Sequence, residues 1–101
     1  MGINVQLKGE NGEVLSEVVD ADMILARAAN HRLSDTRLLR YLVPWGDAVF
    51  NQAQAGDLAS DITKVKSGCP DAPLSGLLSE IEPLVERLAS EGHLYLWFVG
   101  D

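Results

Sequence analysis

The chain has 101 residues, of which 47% are hydrophobic and 23% charged, with a net charge of −7 and one cysteine. These totals predict a single globular domain spanning 1–101, and they argue against disorder and against a disulfide framework. The acidic balance argues against nucleic acid as the main partner, because phosphate binding needs a positive surface.

The N-terminus has no basic stretch followed by an apolar one, and the longest apolar run is too short to span a membrane. The lone Cys69 suits a reducing compartment. The sequence therefore predicts a cytoplasmic protein with no membrane partner.

The first residues predict a β-hairpin. Ile3, Val5 and Leu7 alternate with polar residues, as in a strand with one buried face. Gly9–Gly12 predicts the turn, and residues 13–19 the return strand.

The charges of the hairpin favour one register. A two-residue Asn-Gly loop would set Glu10 opposite Glu13, whereas a four-residue loop pairs Lys8 with Glu13 and Leu7 with Val14. Since like charges directly across a ladder are destabilising, we expect the four-residue loop.

The segment 20–43 gives weaker signals. Asp20 or Asp22 is expected to cap a short alanine-rich helix that ends near Asn30. The apolar run 37–43 is ambiguous between strand and helix. Because the following Pro44 disfavours the α conformation before it, we expect the run to be extended.

Two helices are predicted next. Asn51 and Gln54 have the spacing of a capping box, with Gly56-Asp57 as a rival start, and Gly68 ends the first helix. Its apolar stripe consists of Leu58, Ile62 and Val65. Pro73 opens the second helix, whose apolar face continues across an internal proline. That face consists of Leu74, Leu77, Leu78, Ile81, Leu84, Val85 and Leu88.

Residues 93–101 predict a last strand in the centre of the sheet, covered on both faces, because its apolar residues occupy both alternating positions. The expected fold is α+β: a mainly antiparallel sheet of three or four strands, formed by the N-terminal hairpin and this central C-terminal strand, with two to three helices packed on one side. Residues 38–50 or a second copy of the chain would cover the other side.

The sequence contains no phosphate loop, dinucleotide fingerprint or zinc spacing, and we expect no metal, no cofactor and no catalytic residue. Cys69 lies in a loop without a neighbouring activating charge. His93 follows Gly92 and is expected to serve a helix end, and His31 adds to a basic segment.

The candidate binding residues lie in one segment that combines aromatic, amide and carboxylate groups. They are Tyr41, Trp45, Asp47, Asn51 and Gln54. Such a mixture can line a pocket or an interface. The favoured alternative is structural: Trp45 and Phe50 in the core, Asp47 in a turn, and Asn51 as a cap.

A candidate anion patch precedes this segment. Arg32, Arg37 and Arg40 are opposed there only by Asp35, whereas both ends of the chain are acidic. The acidic ends are either a solvated surface that favours solubility or a means of attracting a basic protein.

Two motifs together carry a resemblance. The segment Pro44–Asn51, with its Gly-Asp-Ala-Val-Phe-Asn sequence, and the final His93–Asp101 resemble those of a group of small bacterial proteins of about this length. The resemblance spans nearly the whole chain. It implies a complete bacterial single-domain protein and carries over no catalytic residue.

Three functions fit these features. The first is a small acidic interaction domain, immunity-like or antitoxin-like, that binds a basic protein partner. The second is a small-ligand sensor or small enzyme with a pocket near Trp45, Asp47 and Asn51. The third is a self-associating domain, so monomer and homodimer both stay open. An enzyme is not favoured.

Overall fold

The computed structural model describes residues 2–29, 33–68 and 71–100. The four strands are β1 Asn4–Gly9, β2 Val14–Val18, β3 Asp47–Phe50 and β4 Leu94–Val99. They form one antiparallel sheet in the order β2-β1-β4-β3. The helices are α1 Ile24–Ala28, α2 Ala55–Gly68 and α3 Ala72–Ser90, with 3₁₀ helices at Leu39–Tyr41 and Gln52–Gln54. The predicted α+β class and the central C-terminal strand are confirmed.

The long helix α3 provides the largest part of the helical layer. Its buried residues are the seven predicted ones: Leu74, Leu77, Leu78, Ile81, Leu84, Val85 and Leu88. The Asp71 carboxylate accepts a hydrogen bond from the Leu74 N–H at 3.3 Å and caps the first turn. The helix continues through Pro83, and α2 packs along it with Leu58, Ile62 and Val65 buried.

The strand β4 joins the two halves of the sheet. Its residues pair with β1 on one side and β3 on the other, with Phe98 opposite both Val5 and Ala48. Leu94, Leu96 and Phe98 face the helices and are buried. Phe50 meets Phe98 edge to face, with ring centroids 5.7 Å apart.

The expectation that β4 is covered on both faces is wrong for the single chain. Tyr95 is 37% exposed, and Trp97 and Val99 are only half-buried. The apolar residues at these positions receive partial cover from side chains of neighbouring strands, such as Lys8 above the Trp97 ring. These side chains are therefore partly shielded from solvent without a second layer of secondary structure.

The predicted hairpin register is also wrong. Lys8 pairs with Val14 and Leu7 with Ser16, so Leu15 is an extra residue in a β-bulge. The loop is shorter than expected, because the Gly9 N–H bonds to the Glu13 carbonyl at 3.0 Å. Gly12 takes a left-handed conformation, with φ of 86°, which is typical of a three-residue hairpin loop.

A buried carboxylate explains the start of α1. Asp20, which is 4% exposed, accepts hydrogen bonds from the backbone N–H groups of Leu25 and Ala26 and from Ile3, all at 3.0 Å. Of the two predicted caps, Asp20 is therefore the one that serves the helix. It also ties the helix to the residue before β1.

A second buried carboxylate corrects the prediction for 37–43. Asp61 of α2, 3% exposed, accepts hydrogen bonds from three successive backbone N–H groups, those of Arg37, Leu38 and Leu39. Capping of this kind favours a helical turn, so Leu39–Tyr41 is a 3₁₀ helix. Only after it does Leu42 become extended.

Candidate functional site

The face of the sheet opposite the helices is open to solvent. Paired residues of an antiparallel sheet point to the same side, so the strand registers identify the residues of this open face. They are Asn4, Gln6 and Lys8 of β1, Val14 and Glu17 of β2, Asp47 and Val49 of β3, and Tyr95, Trp97 and Val99 of β4.

Apolar side chains concentrate on one half of the open face. Val49, Tyr95, Trp97 and Val99 lie on the adjacent strands β3 and β4, and we call them the apolar stripe. Val49 is 43% exposed and pairs directly with Trp97. Neighbouring strands lie about 5 Å apart, so the stripe is about 10 Å wide. That width matches one secondary-structure element of a partner.

Polar groups flank the stripe and hold Trp97 in place. The Lys8 ammonium lies 4.2 Å from the Trp97 ring centroid, in a cation–π contact. The Gln6 side-chain amide, in the row of Trp97, donates to the Glu17 carboxylate at 2.7 Å. The contact with Lys8 restricts the rotamers of Trp97 before any partner binds.

The two carboxylates of the open face lie on opposite edge strands. Glu17 belongs to β2 and Asp47, which is exposed, belongs to β3. The cation of the face, Lys8, is already engaged by Trp97. The open face therefore has apolar residues on β3 and β4 and a carboxylate on each edge strand, an arrangement that complements a partner with apolar and basic groups.

The structure places both Trp45 and Tyr41 on the surface. Trp45 is 72% exposed and Tyr41 59% exposed, so the prediction that Trp45 belongs to the core is wrong, whereas Phe50 is buried as expected. Trp45 lies in a turn that a backbone hydrogen bond from Gly100 to Gly46 ties to the end of β4. A side chain at Gly100 would collide with this turn, because a Cβ there would lie 2.5 Å from the Gly46 carbonyl oxygen.

Asn51 and Gln54 form the capping box that their spacing predicts. The Asn51 N–H donates to the Gln54 side-chain oxygen at 2.9 Å, and the Asn51 side chain accepts from the Gln54 backbone. A cleft of about 360 Å³ opens beside Asn51 and is lined by residues 51–53 and 92–95. Trp45 and Asp47 do not line it, so this cleft does not unite the predicted pocket residues.

Two arginines of the predicted anion patch, Arg37 and Arg40, have partners of their own. Arg37 forms an ion pair with Asp57 at 3.3 Å, and Arg40 donates to the Tyr41 hydroxyl at 2.9 Å. Arg32 lies outside the described residues, as do Cys69 and His31. Asp35 forms an ion pair with Lys64 at 3.2 Å. Arg37 therefore offers an anion less charge than its sequence neighbourhood suggests.

Two side-chain contacts lie where α3 ends and β4 begins. The Arg87 guanidinium hydrogen-bonds to Glu91, and this contact lowers the pKa of the Glu91 carboxyl and raises the pKa of Arg87. His93, with a φ of 62°, lies 2.7 Å from Glu10 at the hairpin tip through its Nδ1 atom. Instead of serving the helix end, as predicted, the His93 side chain contacts the hairpin.

Within residues 2–29, 33–68 and 71–100, no group of three or more His, Cys, Asp or Glu side chains is arranged to hold a metal ion. In the same described ranges, no helix combines the length and the apolar character that crossing a bilayer requires. The chain matches no protein-family model, no curated protein and no solved structure. The resemblance to small bacterial proteins thus stays a prediction.

Sequence reasoning assigned the whole of β4 to the core and so missed Tyr95 and Trp97 as surface residues. The alternation of residue types along β4 indicates that these two residues face outward. The inward positions hold Leu94, Leu96 and Phe98, which have no polar atoms, whereas the outward positions begin with Tyr95 and Trp97. Tyrosine and tryptophan carry a polar end and suit partly hydrated surfaces.

Proposed function

We propose that this protein is a small acidic cytoplasmic interaction domain, immunity-like or antitoxin-like, that binds a basic protein partner through the open face. The observation that carries the proposal is the apolar stripe, which includes Trp97, Tyr95 and Val49 on the uncovered face of a sheet whose edge strands carry the carboxylates of Glu17 and Asp47. Contiguous exposed apolar surface with a polar rim is characteristic of protein-binding sites.

The stripe would supply most of the affinity. Full burial of a large apolar side chain contributes about 1.5–3 kcal/mol, and tryptophan and tyrosine are enriched among the residues that dominate interfaces. Trp97 is the central candidate, since it lies between Val49 and Gln6 and is already held by Lys8. Its pre-ordering lowers the entropy lost on binding.

The charge would supply specificity and speed. With a net charge of −7, the protein attracts a basic partner over distances up to the Debye length, about 10 Å at 0.1 M salt. Association should therefore slow as salt is added, whereas the apolar contacts persist. A partner that binds by charge alone would instead be released completely by a modest salt step.

The test compares two tryptophan variants. The tagged wild type, Trp97→Ala and Trp45→Ala are each incubated with a lysate of the native host at low salt and washed with a modest salt step. The retained proteins are then eluted with denaturant and identified by mass spectrometry. We expect one basic protein, in near-equal amount, with the wild type and Trp45→Ala, and its loss with Trp97→Ala. Trp45→Ala is the matched control, because it removes a tryptophan that is 72% exposed and lies outside the stripe.

Circular dichroism of each variant separates a lost contact from a lost fold. The proposal fails if the wild type captures no basic protein, or if the folded Trp97→Ala variant retains it fully. Self-association, the other use of an apolar stripe, is checked by light scattering. A wild-type dimer that becomes a monomer in Trp97→Ala would show that a second copy occupies the open face, and this would also overturn the proposal.

A further inference from the structure

The two edge strands of the sheet differ in the regularity of their pairing. In β2 the bulge at Leu15 interrupts the regular ladder, a device that discourages further strand pairing. The register of β3 runs without interruption from Asp47 opposite Val99 to Phe50 opposite Leu96. Of the two edges, β3 is therefore the regular one.

The outer edge of β3 also has unused hydrogen-bonding groups. Within the described residues, the backbone of Asp47–Phe50 is hydrogen-bonded only to β4. In an edge strand, alternate residues direct both N–H and C=O away from the sheet. Such groups can be satisfied by a strand from another molecule.

We propose that β3 is a docking edge, at which the partner supplies an extended segment that pairs as a fifth strand. This inference rests on the proposed function and specifies how the partner binds. A strand added beside β3 would extend the open face and enlarge the apolar stripe on the side of Val49. The same segment would satisfy the outward backbone groups of β3 with main-chain hydrogen bonds.

The side chains of β3 define the chemistry of that segment. Asp47 and Val49 lie two residues apart on the open face, both accessible. An added strand places two of its own alternate residues directly beside them, at a Cβ separation of about 5 Å. Charge complementarity with Asp47 requires lysine or arginine at one position, and Val49 favours an apolar residue at the other. Small β-branched residues suit the intervening positions beside the half-buried Ala48.

A synthetic peptide with this pattern provides the probe: acetyl-Thr-Lys-Thr-Val-Thr-Lys-Thr-amide. Its sequence is the same in both directions, so valine and lysine lie two residues apart whichever way the strand runs. The full-length ¹⁵N-labelled protein is titrated with the peptide at low salt and followed by amide chemical shifts. We expect the shifts to concentrate on residues 47–50, with weak affinity in the range of about 0.1–1 mM, which is about −5.5 to −4.1 kcal/mol.

Two N-methylated peptides test the backbone pairing. One carries N-methyl groups on valine and both lysines, and the other on the internal threonines. Because alternate residues of a strand face the same edge, only one of these sets can pair with β3. We expect one methylated peptide to lose at least about tenfold in affinity while the other binds nearly as well as the parent. Equal binding by both would overturn the proposal.

Charge variants test the lysine contact. Replacing both lysines by glutamate should reduce binding at least about tenfold, and Asp47→Asn should weaken the parent peptide several-fold. Glu86→Gln is the matched control, because it removes a carboxylate from the exposed side of α3, in the helical layer. An equal effect of Asp47→Asn and Glu86→Gln would overturn the assignment of the lysine to Asp47.

The outcomes separate this inference from the proposed function. The docking edge is wrong if the peptide changes the amide chemical shifts of Trp97 and Tyr95 but not those of β3. It is also wrong if the peptide fails to bind while Trp97-dependent capture of a basic protein succeeds. In both cases the interaction domain stands. If capture fails and the peptide still binds at β3, the interaction domain is wrong and strand docking stands. A dimer formed by β3 pairing with itself would overturn the choice of partner.

Discussion

The two faces of the sheet use the same strand in opposite ways. Toward the helices, β4 presents Leu96 and Phe98, which are 0% and 1% exposed and pack in the core. Toward solvent it presents Tyr95 and Trp97, which contact polar neighbours such as Lys8. The difference places core residues and partly exposed residues at alternate positions of one strand, and the proposed partner would contact the second set. Substitutions on the two faces should therefore have separable effects.

The largest expected effect is on the inner face. Leu96→Ala removes a fully buried side chain at the centre of the sheet and leaves a cavity between the sheet and the helices. We expect a loss of about 2–5 kcal/mol in the free energy of unfolding, measured by urea denaturation. A loss below about 1 kcal/mol would show that the inner face is not the main source of stability.

A smaller loss of stability is expected from replacing the buried carboxylates that accept hydrogen bonds from backbone N–H groups. Asp20→Asn and Asp61→Asn each retain the shape of the side chain but replace an accepting oxygen by an amide donor, opposite backbone N–H groups. Each should cost about 1–3 kcal/mol in urea denaturation. Asp22→Asn is the matched control, because Asp22 is exposed, and should change stability by less than about 0.5 kcal/mol. Equal effects at Asp20 and Asp22 would contradict the buried cap.

The outer face should behave differently. Trp97→Ala deletes more atoms than Leu96→Ala, yet Trp97 is only half-buried, so we expect a stability loss of about 1 kcal/mol by the same measurement. Its effect on partner capture should be the larger one. If Trp97→Ala destabilised the protein as strongly as Leu96→Ala, the effects of the two faces on stability and on partner capture would not be separable.

The smallest expected effect is a pH dependence at the end of α3. Because Arg87 lowers the pKa of Glu91 in the folded protein, the pair contributes stability above the ordinary glutamate pKa, and this contribution is lost as pH falls through the lowered value. Both groups are solvent-exposed, so the effect is slight. Wild type should melt slightly above Glu91→Gln at pH 7, and the difference should shrink as pH falls below the ordinary glutamate pKa of about 4.3. A difference that persists at low pH would contradict this origin.

The periodic elements were predictable because their signals are local. The alternation of Ile3, Val5 and Leu7 and the seven-residue apolar face of α3 each predict both an element and its buried side. The position of β4 in the centre of the sheet follows from its length and apolar content. The capping box of Asn51 and Gln54 likewise depends only on a spacing of three residues.

The remaining features depend on contacts between distant residues. Asp61 determines the turn at Leu39–Tyr41 from more than twenty positions away, against the local preference set by Pro44. The hairpin register depends on a β-bulge. The charge pattern of the hairpin does not indicate where the single extra residue of this bulge lies. At the candidate site, the sequence predicts that both Trp45 and Trp97 lie in the core, whereas both reach the surface. A pattern that is apolar at every position does not show which side is covered.

The strand order has a consequence for synthesis on the ribosome. β3 pairs only with β4, and β1 needs β4 on one side, so the sheet has no centre until residues 94–99 have been made. A nascent chain that has reached the end of α3 holds a hairpin and the helices, but leaves Val5, Leu7 and Phe50 without their neighbours Phe98 and Leu96. The sheet should therefore form only after residues 94–99 have left the ribosome, and chains interrupted before β4 should be the ones that proteases remove.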